Sequence, residues 1–363
     1  MAGKYVRKKK NWFARHKILT AIVLILLLLV LLVVGFVWSK LRLIQYVPDS
    51  TKPQETVAVP KETAEAETVT PEATEEEADQ IIDISGLEIS ETEPPIPQTQ
   101  VEEKEEVVNI LLLGTDERAV NFSENARSDS MILMSINKDR KTVKLVSLER
   151  GMGVPVLSGP YEGQWDWLTH IFRYGGADLL VETVEHCFKV EVDHYVRVNF
   201  TSVMKAVDTI GGIEMELTAA EASALNRGNS WNLHGGVNHL NGEQALLFAR
   251  LRSIDSDWQR VQRQRKVIIA AVEALKGSSL KELNQLLDQV LPLIQTNMTM
   301  LDIADLMLYS PNFFSSAFDQ MTIPQQGTYG GMTGMEGRNL FAVDFEVNSQ
   351  ILKDFLYGEE EQQ

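Results

Sequence analysis

One cysteine, Cys187, is all the chain has, so it can form neither an intramolecular disulfide nor a cysteine-based zinc site. It lies in Val184-Glu185-His186-Cys187-Phe188, and no basic partner is indicated that would activate it, so a buried structural thiol is expected. A broad basic face is also missing. The net charge is −17, which argues against nucleic acid as a partner. The first 47 residues contain no acid, and Ile18 to Trp38 contains no charge of either sign. A small-x-small cleavage site is absent after that run, where Ser39-Lys40-Leu41-Arg42 follows instead.

What is present then orders itself along the chain. Twenty-one apolar residues at about 1.5 Å rise each match the roughly 30 Å hydrocarbon core of a bilayer. Seven cations precede the run and only Lys40 and Arg42 follow it, which predicts a cytoplasmic N-terminus (1–17) and a single span (18–38). Everything beyond would work outside the cell membrane. Residues 39–106 read as an acidic linker. Its stretch from Pro48 to Glu106 holds eighteen acids against three lysines, too polar to repay chain ordering, and disorder is expected. The Ile81-Ile82-Asp83-Ile84 patch is the one place that could dock.

Residues 107–358 carry the pattern of a folded domain, with an acidic tail at 359–363. Val107 to Leu113 is a nearly continuous apolar run that suits a strand buried on both faces. Further strands are expected at Met131–Ile136, Thr142–Leu148, Val192–Val198 and Ile213–Leu217. Helices are expected at Ala177–Phe188, Thr201–Thr209, Asn241–Phe248, Trp258–Leu275, Leu280–Leu293 and Val347–Leu356. This interleaving predicts one α/β domain, αβα-layered around a central mixed sheet.

Arginines and acids gather in three segments of this acidic domain. They are Gly114-Thr115-Asp116-Glu117-Arg118, Arg127-Ser128-Asp129-Ser130, and Arg250-Leu251-Arg252 with Asp257, Arg260, Arg263 and Gln264. Guanidinium forks grip phosphate oxygens bidentately, and paired carboxylates suit Mg²⁺. Asp116 ends the apolar strand and Asp129 precedes the next, so adjacent strands could bring both to one mouth. A turn acid and a cap are the alternative. Arg250 and Arg252 would share a side of an extended segment. Asp257, Arg260 and Gln264 fall on one helical stripe bordered by Arg263. A solvated, salt-bridged face is the competing reading of that stripe. Against it, Val261, Ile268, Ile269 and Val272 pack the opposite side, and four arginines within fourteen residues repel one another unless they share an anion.

The chain resembles the LytR–CpsA–Psr family of cell-wall glycopolymer ligases. The likeness runs from about Val107 to Leu356. It rests on Asn109-Ile110-Leu111-Leu112-Leu113-Gly114-Thr115-Asp116, Arg127-Ser128-Asp129-Ser130-Met131, Tyr174-Gly175-Gly176, Ile210-Gly211-Gly212-Ile213, Leu240-Asn241-Gly242-Glu243-Gln244-Ala245-Leu246 and the arginine segment above. The resemblance implies an αβα fold holding a polyprenyl chain in an apolar tunnel. It also implies transfer of a glycan phosphate from polyprenyl pyrophosphate to a hydroxyl of peptidoglycan. On it, Asp116 and Asp129 would hold Mg²⁺, and Arg118, Arg127, Arg150 and Arg252 would act on the reacting phosphate. Those four with Arg250, Arg260, Arg263 and Gln264 would bind pyrophosphate, and Asp257 would orient an arginine. His170 lies near a family position that faces the site. One departure stands out: Glu149-Arg150-Gly151 replaces the usual Pro-Arg-Asp. That departure leaves open a non-catalytic binding or scaffolding module, and a pyrophosphatase using water is a further reading.

Overall fold

A computed structural model describes residues 35, 38–48, 82–104, 107–117, 122–123, 126–252, 254, 256–276, 279–313 and 318–358. Apart from residues 35 and 38, the expected span at 18–38 lies outside the described residues, as does Arg118. Among the described residues, no helix is long and apolar enough to cross a membrane.

The strands are β1 (Gln45–Tyr46), β2 (Val107–Thr115), β3 (Ser128–Asn137), β4 (Thr142–Leu148), β5 (Gly153–Pro155) and β6 (Trp165–Trp167). Helix α1 (Leu168–Phe188) leads to β7 (His194–Asn199), α2 (Phe200–Thr209), β8 (Ile213–Leu217), α3 (Ala219–Asn226) and β9 (Gly236–Leu240). Then come α4 (Gly242–Arg250), α5 (Asp257–Lys276), α6 (Leu280–Val290), β10 (Gln295–Thr296) and α7 (Met300–Phe313). The chain ends with β11 (Phe318–Ile323), β12 (Tyr329–Thr333), β13 (Asn339–Val343) and α8 (Phe345–Tyr357).

Seven strands form the central sheet in the order β1-β10-β7-β2-β3-β4-β11. It is mixed: β7 and β11 run parallel to β2 and β4, while β3 is antiparallel to both of its neighbours. Strand β2 shows why it reads as one apolar run. Leu111 and Leu113 face the core built with α1 and α8, whereas Ile110 and Leu112 face α7 and the opposite layer. A further cluster joins α2, α4 and α5 to the β8–β9 hairpin through Val207, Ile213, Leu240, Phe248 and Val267. Capping boxes at Asn199 and Asn241 start α2 and α4, each side chain accepting from the third helical N–H.

Two elements depart from the sequence expectation. Helix α1 begins nine residues earlier than Ala177, because Gly175 (φ −154°) and Gly176 (φ 69°) kink it and interrupt the helical period. The acidic linker does not stay clear of the domain throughout. Ile82 and Ile84 are buried in the main core, Ser90 N–H donates to Gly331 O at 2.7 Å, and Glu102 N–H donates to Lys189 O at 3.0 Å. Two buried isoleucines and a few backbone hydrogen bonds offset the acidic composition over 82–104.

Candidate functional site

A cavity of about 510 Å³ opens between the sheet and the helical layer. Its apolar wall comes from Leu112 and Ile132 on the sheet, Phe200 and Val203 on α2, Leu246 and Leu247 on α4, and Val267 and Ile268 on α5. Its polar end is lined by Arg127, Asp129, Arg150, Arg250, Arg252, Arg260 and Gln264. The strand ends and the junction of α4 with α5 thus bring residues from three distant segments together, with the turn after β4 contributing Arg150.

The polar end is a lattice of ions. Arg150 Nε lies 2.7 Å from Asp257 Oδ2, and Arg260 Nε lies 2.9 Å from Asp257 Oδ1. Arg252 reaches Asp257 at 3.6 Å and Asp129 at 3.8 Å, while Arg150 approaches Asp129 at 3.6 Å. Burial alone would raise the pKa of Asp257, but Arg260 and Arg150 outweigh it and hold this carboxyl well below the usual range. Burial, then the charges of Arg260 and Arg150, bring Arg252 down to about 10. Three guanidinium groups therefore share two carboxylates, and a bound polyanion would relieve their repulsion.

Asp129 sits at the β-bulge where the β2–β3 register shifts, beside the end of β2. Its Oδ1 is buried and accepts no hydrogen bond. Asp116, at the end of β2, accepts from Arg127 twice, backbone N–H at 3.0 Å and Nε at 3.1 Å. The Asp129 oxygen, without a hydrogen bond and 3.6 Å from Arg150, fits a hard cation, which is commonly held by one or two carboxylates plus substrate oxygens and water. Asp129 would offer an oxygen directly. Asp116 would have to give up part of its bond to Arg127.

Other predicted residues take different places. Arg250 ends α4 instead of lying in an extended segment, and its guanidinium stacks 4.2 Å above the Phe200 ring. Arg263 does not line the cavity. It is buried, with Nε 2.9 Å from Glu221 and a hydrogen bond to Leu251 O, so it fixes the backbone beside Arg252. His170 is buried, with Nδ1 2.9 Å from Asp166 Oδ2, and does not reach the cavity lining. Arg227 and Asn229 do line the cavity and were not anticipated. They follow α3 in a glycine turn with no periodic signal.

The Glu149-Arg150-Gly151 departure has a physical basis. A Cβ at Gly151 would come within 2.8 Å of Ile82 Cδ1 and 3.1 Å of Phe341 Cε2. An acid at that position would require the docked Ile82 to shift. Glu149 is fully buried beside Asp257, to which its protonated carboxyl donates a hydrogen bond. Burial, and then the charge of Asp257, push its pKa well above the ordinary value, which favours the neutral form over one that would replace the missing charge.

Comparison with known proteins agrees with this architecture. Over 232 residues the chain is 34% identical to the polyisoprenyl-teichoic acid–peptidoglycan teichoic acid transferase TagU of Oceanobacillus iheyensis, covering 61% of this chain and 69% of that protein. It is 31% identical to the enzyme TagT of Bacillus subtilis over 220 residues, 59% of this chain and 67% of that one. The structure of TagT bound to LI-WTA superposes with a TM-score of 0.57 at 26% identity, covering 71% of this chain and 94% of that one. The LytR_cpsA_psr family model matches residues 63–353, reaching back beyond the domain into the acidic segment. With that match over most of its length, the chain belongs to the LytR_cpsA_psr family.

Proposed function

We propose that this protein transfers a glycan phosphate from a polyprenyl-pyrophosphate carrier to a hydroxyl of peptidoglycan, as a membrane-anchored phosphotransferase with its domain outside the cell. The observation that carries the reading is the junction of an apolar cavity with a cation-rich end. A lipid pyrophosphate has that same division, an apolar chain joined to a compact polyanion. The relatives named as teichoic acid transferases support the reaction class.

In this reading the pyrophosphate lies across Arg150, Arg252 and Arg260, with Arg127 and Arg250 at its flanks. Asp257 holds the forks of Arg150 and Arg260 in place before substrate arrives, so little reorganisation accompanies the charge that develops. Arg263 keeps the Leu251 carbonyl, and hence the Arg252 backbone, fixed. The acceptor oxygen forms a bond to the phosphorus that bears the glycan. The bond from that phosphorus to the bridging oxygen breaks, and polyprenyl phosphate leaves, taking up the proton that the acceptor hydroxyl gives up. Mg²⁺ held by Asp129 and Asp116 would supply further neutralisation of the phosphate oxygens.

The test incubates the full-length chain with a polyprenyl-pyrophosphoryl glycan, Mg²⁺ and peptidoglycan fragments, and follows the labelled glycan. Labelled fragment is expected. Free glycan phosphate would indicate a pyrophosphatase, and lipid bound but unchanged would indicate a binding module.

A further inference from the structure

Both ends of the acidic segment are docked on the domain. At the far end stand Ile82, Ile84 and the backbone bonds of Ser90 and Glu102. At the near end, β1 is the edge strand of the central sheet, parallel to β10, with Gln45 opposite Gln295 and Tyr46 opposite Thr296. Gln45 N–H donates to Ile294 O at 3.1 Å and Val47 N–H to Thr296 O at 2.9 Å. Gln45 Nε2 donates to Pro292 O at 2.7 Å, and Lys40 Nζ lies 2.5 Å from Asp288 Oδ1 on α6. The acid-rich residues between Pro48 and Ile82 therefore do not set the separation between β1 and the domain.

This near end sits on the outside of the cavity wall. The turn that receives Gln45 also receives Ser202, whose Oγ donates to Leu293 O at 2.8 Å. Ser202 belongs to α2, whose Phe200 and Val203 line the cavity. The solvent side of the docked segment exposes Trp38 (51%), Leu43 (36%) and Tyr46 (52%), and the Arg42 guanidinium lies 4.6 Å over the Trp38 ring. Amphipathic aromatics beside a cation are the composition of a membrane interface. The apolar run ends at Trp38, and the seven residues from there to Gln45 can span at most about 25 Å.

We propose that residues 38–47 form a fixed seat that holds the domain against the bilayer surface, with the α2 wall of the cavity adjacent to the membrane. The partner of the exposed Trp38, Leu43 and Tyr46 is then the lipid headgroup layer. The lipid carrier can enter the cavity without leaving the bilayer, and the acidic segment is no spacer. The proposal rests on the anchored, lipid-using function above.

The experiment uses the full-length chain in phosphatidylglycerol–phosphatidylethanolamine vesicles loaded with polyprenyl-pyrophosphoryl glycan. Two variants are compared with wild type. Lys40→Cys/Asp288→Cys is bridged with a short bismaleimide, which spans the gap left by the lysine side chain and locks the seat, with Cys187 too buried to compete. Gln45→Pro removes the N–H bonded to Ile294. The double-cysteine chain is expected to cross-link almost completely in vesicles and to transfer at a rate close to wild type. Gln45→Pro is expected to lose about tenfold in transfer from vesicles, through lost preorganisation, yet to match wild type on a short-chain, water-soluble pyrophosphate analogue. Absence of the cross-link, a wild-type rate for Gln45→Pro in vesicles, or an equal loss on both substrates would overturn the seat. If wild type itself turns over neither substrate, the transfer function fails, and the cross-link alone decides the seat.

Discussion

Two buried polar clusters in this fold each pair aspartate with arginine and are balanced in opposite ways. Around Asp166, one fully buried carboxylate collects four donors: Trp167 N–H at 2.8 Å, His170 Nδ1 at 2.9 Å, Tyr174 Oη at 2.5 Å and Arg338 at 3.2 Å. Burial would raise its pKa, but the hydrogen bonds from His170 and Tyr174 prevail and lower it. At the cavity, cations outnumber acids, and Asp129 Oδ1 is left without a hydrogen bond. A closed network holds β6, α1 and the segment before β13 together. An open one, with charge to spare, is prepared for a ligand that completes it.

The comparison predicts opposite losses. Asp166→Ala strands buried donors around a space with no acceptor, so it should cost about 3–5 kcal/mol of stability. Denaturant unfolding would measure this, and the protein that remains folded should transfer glycan normally. A variant as stable as wild type would show that the network does not hold the fold. Asp129→Asn should reverse the pattern. Turnover supported by Mg²⁺ should fall by about 10²–10³ while the melting temperature stays near that of wild type. Unchanged Mg²⁺-dependent turnover would remove Asp129 from the metal site.

A smaller effect concerns Glu149, the buried carboxyl beside Asp257 at the edge of the open cluster. Its folded-state pKa is raised, so the stability tied to its neutral form is fully present below the ordinary value of 4.5. That stability is lost as the pH rises from there through the folded-state value. Glu149→Gln keeps a neutral group of similar shape. Its melting temperature should therefore gain on wild type as the pH is raised from about 5 to about 8. A difference that does not change with pH would mean that the carboxyl ionises without cost.

Much of the fold was legible because its signals are local and periodic. The two-sided burial of β2 was written in Val107 to Leu113, and the stripe along α5 separated Arg260 and Gln264 from the buried Val261, but Ile268, one turn beyond Gln264, lines the same cavity instead of the opposite face. The site was legible as a set of residue types, since arginine is rarely gathered on an acidic domain without an anion to hold. Pairings across long separations were not legible. Nothing near Arg263 announces Glu221, forty-two residues earlier, so it stood in the sequence as one more phosphate ligand. The docking of Ile82 and Ile84 was hidden for a different reason: composition averages over the whole acid-rich stretch from Pro48 to Glu106, whereas two side chains in the right pockets are enough.

The most direct measurement is a paired titration and melt of Arg252→Lys. This change keeps the charge and removes the planar fork. An arginine serving only a surface pair contributes about 0–1 kcal/mol, and lysine would replace it. If the open cluster is a pyrophosphate clamp, Arg252→Lys melts near the wild-type temperature and loses most of its affinity for the polyprenyl-pyrophosphate lipid. An Arg252→Lys protein that binds and turns over that lipid like wild type would contradict the account.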